Sequence, residues 1–359
     1  MPAGEDFAWV VGLMSGTSLD GIDAALIETD GETVRAFGPA ATSPYPAAFR
    51  ARLATTLGRS SGYEAVEAEL TSRHADAVRE LLAGLPADHP SPALVGFHGH
   101  TIDHRPDEGA TVQIGDGGAL ARALGIPVVD DFRGADVAAG GQGAPLAPLY
   151  HVARLADVEP PVAVLNIGGM ANLTWIGERG PPVAFDTGPG NALLDRWVER
   201  HTGRRYDAGG ALAATGRVSQ QAVARYLADP WFDRAPPKSV DRLDFSLDGV
   251  AGLSAADGAA TLAEVTAAAV ARARAHLPAP PARWLVAGGG RRNPVIMARL
   301  SALLAVACDP VEALGWRGDA LEAEAFAFLA MRSRRGLPLS LPTTTGVAAP
   351  TTGGRLHLP

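Results

Sequence analysis

At 359 residues the chain is long for one core and comfortable for two domains. With 47% hydrophobic and 19% charged residues it reads as packed and globular, which argues against a disordered chain. The formal net charge of −8 argues against a surface that tracks phosphodiester backbones or anionic lipid, so neither nucleic acid nor membrane is expected as a partner.

The first stretch, MPAGEDF, is acidic where a secretory signal would be basic. Next comes VVGLMSGTSLDGIDAALIETDG (residues 10–31), an apolar run, a loop of Gly, Ser, Thr and Asp, and a second apolar run. That plan predicts a β-hairpin with a glycine-rich tip. Helical spacing follows in YEAVEAELTSRHADAVRELLAG (63–84), then strand-length runs in ALVGFHG (93–99) and IPVVDDF (126–132). VAVLNIGGMANLTWIGERG (162–180) repeats the plan of the first hairpin, and VAFDTG (183–188) leads into a helical GNALLDRWVERHTG (190–203). The Ala-rich ATLAEVTAAAVARARAHL (260–277) carries Glu264, Arg272 and Arg274 and is too polar to span a bilayer. Ser254 and Asp257 resemble a capping box that opens this helix. RWLVAGGG (283–290) predicts a strand ending in three glycines, with Asn293 and Pro294 at the N-cap and first position of a helix. Cys308, in ALLAVACDP, reads as a buried inert thiol in a cytoplasmic chain. DALEAEAFAFLAMRSRRG (319–336) is helical, and the Pro-, Thr- and Gly-rich tail is loop or edge strand. Strands alternating with helices predict the α/β class.

Glycines at a hairpin tip let backbone N–H groups converge on an anion, and Thr17 and Ser18 add hydroxyl donors. Neither a Walker loop nor a full G-x-G-x-x-G is present, and two similar hairpins, one in each half, suggest two domains across a cleft. The GGG cluster offers a flat surface to a purine and ribose. Asp186 ends a predicted strand at the edge where α/β folds place ligands, and the turn of Gly188, Pro189 and Gly190 aims it. It is either a general base or a turn-stabilising carboxylate, Asn191 being the better helix cap. His98, His100, Asp103 and His104 invite a zinc reading, which no further His or Cys motif supports.

Hairpin, hairpin, strand–GGG–helix, in that order, resembles the layout of the acetate and sugar kinase, Hsp70 and actin superfamily. The words GLMSGTSLDGID, GFHGHTIDHRP, QIGDG, DFRGADVAAGGQGAPLAPLYH, LNIGGMANLT, FDTGPGNALLD, PPKS and DALEAEAFAFLA go further. From about Val10 to about Leu341 they resemble the anhydro-N-acetylmuramic acid kinase family. The resemblance implies two actin-like (ribonuclease H-like) α/β domains flanking a nucleotide-binding cleft, the first of residues 1–135 plus about 336–359 and the second of 136–335. It implies that ATP and water convert 1,6-anhydro-N-acetylmuramic acid into the 6-phosphate of the opened sugar during cell-wall recycling, with Asp186 as the base that activates water. A homodimer is left open.

The same resemblance assigns ATP contacts to Gly16, Thr17, Ser18, Leu19, Asp20, Gly21, Ile22 and Asp23 in the first hairpin. Gly168, Gly169 and Asn172 in the second, and Gly288, Gly289 and Asn293 in the third cluster, complete that set. Asp20 or Asp23 would hold Mg²⁺ beside the phosphates. Arg133 and Gln142 are substrate contacts, the arginine fork suiting a lactyl carboxylate, with pairing of Arg133 to Asp131 or Asp136 as the alternative. Glu322 is expected to orient the sugar, and Lys238 to contribute nearby. His100 departs from the Gln of the family, and SVDRLDF after Lys238 departs from its usual wording. Two rivals remain: a kinase of the same superfamily acting on another sugar or a carboxylate, and a nucleotide-dependent binding protein.

Overall fold

Two glycine-tipped hairpins each start a sheet, and the rest of the chain is laid against them. The computed structural model describes residues 7–16, 18–240 and 244–359. Strand β1 (Ala8–Ser15) runs antiparallel to β2 (Gly21–Thr29), which pairs with β3 (Val34–Pro44). Helices α1 (Ala47–Ala54) and α2 (Glu64–Ala83) lead to β4 (Leu94–Arg105), parallel to β1 on its other side. β5 (Ala110–Ile114) folds back on β4, and after α3 (Gly117–Leu124) the short β6 (Val128–Asp130) adds parallel to β4. α4 (Gly134–Ala138) and α5 (Pro148–Arg154) end this stretch.

β7 (Val162–Ile167), β8 (Met170–Ile176) and β9 (Val183–Pro189) form a second antiparallel meander. Helices α6 (Ala192–Thr202), α7 (Gln220–Leu227) and α8 (Ala255–Ala273) precede β10 (Arg283–Ala287), which is parallel to β7. α9 (Pro294–Leu304) then leads to β11 (Cys308–Pro310), parallel to β10. Finally α10 (Leu321–Arg334) and β12 (Arg355–His357) return to the first sheet, where β12 covers the free side of β6.

The strand orders are β12-β6-β4-β1-β2-β3, with β5 beside β4, and β11-β10-β7-β8-β9. Without β5 and β12 the two are one order: a meander whose first strand carries two further parallel strands. The likeness of the two hairpins thus extends to the whole sheets, and each is a ribonuclease H-like α/β unit.

The units comprise residues 1–157 with 320–359, and 158–319. This differs from the expected division at 135/136 and 335/336, and packing is the reason. α10 lies on β1, β2 and β4, where a side chain on Gly12 would sit 1.8 Å from the Ala323 carbonyl and one on Gly96 2.2 Å from that of Phe326. Only bare backbone allows this approach, so the helix belongs to the first sheet. Residues 136–157 are held there too, since the Thr345 hydroxyl donates to the Asp136 carboxylate (2.5 Å) and Tyr150 donates to Glu324.

The first core gathers Val11, Leu13, Phe49, Leu70, Val95 and Phe97 between sheet and α2. In the second unit α8 is buried along most of its length, and its Glu264 pairs with Arg299 (2.7 Å). The expected capping box is half present. Ser254 Oγ accepts from Asp257 N (3.1 Å), but the Asp257 carboxylate turns to Arg217 N (2.7 Å) instead of reciprocating.

Candidate functional site

In the first unit the hairpin tip between β1 and β2 carries Gly16 to Asp20, and Thr17 lies outside the described residues. Leu19 takes a left-handed backbone (φ 58°) and its N–H donates to Gly16 O (3.1 Å), folding the tip back on itself. Ser18 Oγ donates to the exposed Asp20 carboxylate (2.7 Å), and Thr42 Oγ1 donates to Asp23 (2.6 Å). Ile22 turns into the core, and Gly21 is required because a Cβ there would lie 2.5 Å from Ser43 O.

At the carboxyl edge of the same sheet, Arg133 Nε donates to His98 Nε2 (3.1 Å) and Nη1 to Gly143 O (2.6 Å). Accepting at Nε2 leaves His98 with its proton on Nδ1, which donates to Gly99 O (3.0 Å). Burial, aided by the Arg133 charge, holds the His98 imidazole well below its usual pKa. Gln142 Nε2 donates to Asp107 (3.3 Å), and Gln142 N to Thr345 O (2.6 Å). Ser15 Oγ lies 2.9 Å from His100 Nδ1 and 2.7 Å from Tyr45 Oη. Among the described residues no three His, Cys, Asp or Glu side chains gather as for a metal ion. Glu322 is exposed in the first turn of α10.

Two residues on, Glu324 is fully buried and escaped the sequence reading. It accepts from Tyr150 Oη and from Arg154 Nη1 (3.1 Å), and Arg154 Nη1 also donates to Tyr150 Oη (2.9 Å). The alternation of Glu322 outward and Glu324 inward follows from 100° per residue along the helix; the 170-residue separation from α5 hid the partners.

In the second unit the register aligns Asn166 on β7 with Asn172 on β8, and Asn172 with Asp186 on β9. Residues directly opposite share a face, so these three form a polar row. Ala287 on β10 pairs with Asn166, which extends the row to the glycine cluster, and a Cβ on Gly288 would lie 2.4 Å from Asn166 Oδ1. Three strand spacings put roughly 14 Å between the two ends. Asp186 does not end its strand as the sequence predicts: β9 runs on to Pro189, because Gly188 and Pro189 stay paired with Ala171 and Met170 after a shift of register, and Asp186 itself is 7% exposed. Its carboxylate accepts from Val240 N (3.0 Å) and its own N–H donates to Lys238 O (3.0 Å).

Lys238 was expected near the substrate, yet it is only 2% exposed, and its ammonium donates to Trp231 O (3.2 Å) and Phe232 O (3.0 Å). Asn191 stands at the N-cap position of α6 without capping it. Its amide donates instead to Ile167 O (3.0 Å) and Gly168 O (3.1 Å), which ties the second hairpin tip to the helix start. Asn293 does cap α9, accepting from Val295 N (3.0 Å) and Ile296 N (3.3 Å) ahead of Pro294. Arg291, almost buried, braces the glycine cluster by donating to Gly288 O (2.9 Å), Glu312 (2.8 Å) and Asp319 (2.9 Å).

Three of the candidate glycines differ from Gly21 and Gly288. At Gly16, Gly168 and Gly289 an added Cβ meets nothing nearer than 3.5 Å, and φ is outside the left-handed region. Neither packing nor backbone conformation demands glycine there. What remains is room for something to approach the bare peptide groups.

Two α/β units of one strand order, each opening on a glycine hairpin, define a two-domain nucleotide-binding fold. The family description "Anhydro-N-acetylmuramic acid kinase" matches residues 8–358, and the chain belongs to that family. It is 57% identical over 352 residues to the anhydro-N-acetylmuramic acid kinase of Paramagnetospirillum magneticum, covering 97% of this chain and 99% of that one. The protein of the same name in Rhodospirillum rubrum is also 57% identical, over 96% and 93% of the two chains. Among solved structures, component A of the (R)-2-hydroxyglutaryl-CoA dehydratase of Acidaminococcus fermentans is similar with a TM-score of 0.48 and 14% identity, over 91% and 99%. Among the described residues no helix is long and apolar enough to cross a membrane.

Proposed function

We propose that this enzyme, a kinase that uses ATP, opens 1,6-anhydro-N-acetylmuramic acid with water and phosphorylates O6, giving N-acetylmuramic acid 6-phosphate and ADP. The observation that carries the reading is a nearly buried carboxylate on β9, Asp186, at one end of a polar row whose other end is the glycine cluster. An extended nucleoside triphosphate spans such a row.

Asp186 takes a proton from water as the water oxygen bonds to C1 and the C1–O6 bond breaks. O6 accepts the γ-phosphoryl group and ADP leaves, so the departing oxygen needs no separate acid. The open backbone at Gly16, Gly168 and Gly289 fits a polyphosphate and a purine face. Asn172 and Asn293 support that surface, the first within the row and the second by holding the helix start. Asp20, exposed at the first tip, and Asp23 fit one or two hard carboxylate ligands for Mg²⁺, which when bound neutralises phosphate charge. Arg133, Gln142 and Glu322 contact the sugar in this reading, with Arg133 facing the lactyl carboxylate. Cell-wall recycling in the cytoplasm is the setting.

The test is Asp186→Asn with ¹⁸O-water. Wild type should place label on the C1 hydroxyl and phosphate on O6. The variant should bind both substrates and lose turnover by on the order of 10² to 10⁴. Near-normal turnover in the variant, or label in inorganic phosphate instead of C1, overturns the assignment.

A further inference from the structure

Lys238 is a buried cation with no carboxylate in ion-pair contact among the described residues. Its ammonium meets two main-chain carbonyls, Trp231 O and Phe232 O, and lies 4.4 Å from the Trp231 ring centre. The tie is double, because Trp231 Nε1 donates back to Ser239 O (3.3 Å). Phe232 is anchored in the core and lies under Gly188, two residues after Asp186 on β9. On the other side of the lysine, its own carbonyl receives Asp186 N–H, and Val240 N–H, two residues on, reaches the Asp186 carboxylate. Residues 238–240 therefore lie between an anchor in the core and the carboxylate.

Burying an ammonium is costly, and a methionine of similar length would fill the space without that cost. Burial lowers the Lys238 pKa to about 8, the charge of Asp186 acting in the opposite direction. The two groups sense each other's charge.

We propose that Lys238 is a positioning residue for Asp186: it locks residues 238–240 to Trp231 and Phe232, so that two peptide groups hold the carboxylate in its working orientation. This rests on Asp186 being the base. It gives the PPKS word a role that does not involve touching substrate.

A double-mutant cycle of Lys238→Met with Asp186→Asn separates positioning from plain structural support. Each variant is measured for kcat, both KM values and melting temperature without ligands. Lys238→Met should lower kcat by about 10- to 100-fold, the scale of a misplaced catalytic group, with both KM values within about threefold of wild type. In the Asp186→Asn background it should lower the residual turnover by less than about threefold, because the group it positions is gone. Equal losses in both backgrounds overturn the proposal, as does a rise in KM with kcat kept. Full turnover in Asp186→Asn alone overturns the base assignment instead, and is read without any Lys238 variant. Should Lys238→Met not melt cooperatively, Lys238→Gln, which retains a donor for one carbonyl, runs the same cycle. Loss of folding in both makes Lys238 a folding residue and refutes the positioning role.

Discussion

Gly289→Ala should make the protein more stable and worse at holding nucleotide. Gly289 opens the 3₁₀ turn Gly289–Arg292, where a helical backbone suits alanine better than glycine. The new methyl would meet only Asn191 Nδ2, at 3.6 Å. With no clash and no left-handed φ, alanine acts chiefly by narrowing the unfolded ensemble, worth about 0.4–1 kcal/mol of added stability. In a unit of this size that raises the melting temperature by about 1–3 °C. In the proposed reading the same methyl stands against the purine face, and filling a fitted contact costs about 1–3 kcal/mol, or roughly 5- to 150-fold in affinity. Differential scanning fluorimetry without nucleotide reads the first effect. Calorimetric titration with a non-hydrolysable ATP analogue, together with the KM values for ATP and sugar, reads the second, and the sugar KM should stay within about twofold. Gly288→Ala is the contrast: its φ is 71° and its Cβ would lie 2.4 Å from Asn166 Oδ1, so it should lose stability outright. If Gly289→Ala binds the analogue as tightly as wild type while melting higher, the nucleotide rests elsewhere. A lower melting temperature would refute the open-backbone argument itself.

Acid should unfold the first unit in a histidine window. Burial holds His74 and His104 to about 4 and His151 to about 3, and His98 well below its usual value, against about 6.5 in an unfolded chain. The unfolded state then binds more protons between those values, so the stability these groups contribute is complete above pH 6.5 and is lost as pH falls toward 4. The slope is up to about 1.4 kcal/mol per pH unit for each histidine; a urea midpoint for this unit that stays level from pH 7 to 4.5 would contradict it. Gly12→Ala should cost about 3 kcal/mol or more, because its methyl would lie 1.8 Å from Ala323 O and α10 must move away. A wild-type melting curve for that variant would mean that α10 does not press on β1.

The parts legible in the sequence were those whose cause is local. Apolar alternation around a Gly-rich turn is enough to make each hairpin, since the partner strand is only a few residues away. Asn293 before Pro294 specifies the start of α9 through the peptide groups of Val295 and Ile296, and Asp186 is recognisable as a strand carboxylate by the run before it, although the strand continues to Pro189 where the glycines suggested its end. Tertiary structure decided whatever depends on a distant partner. The α10 pattern is helical in any setting, but which sheet it covers was settled by Gly12 and Gly96, some 230 or more residues earlier. Asn191 reads as a cap because asparagine often is one, and donates instead to Ile167 O and Gly168 O because the second hairpin arrives within reach. Lys238 reads as a contributor beside the sugar, yet its ammonium meets the carbonyls of Trp231 and Phe232 in the interior. Glu324 follows the same rule, since burying a carboxylate requires partners, and Tyr150 and Arg154 come within reach only when α5 and α10 settle on one sheet. Periodicity and turn chemistry act over a few residues and survive in the sequence as words; the pairing of buried polar groups is a property of the closed fold, because only there does removal from water make each partner obligatory.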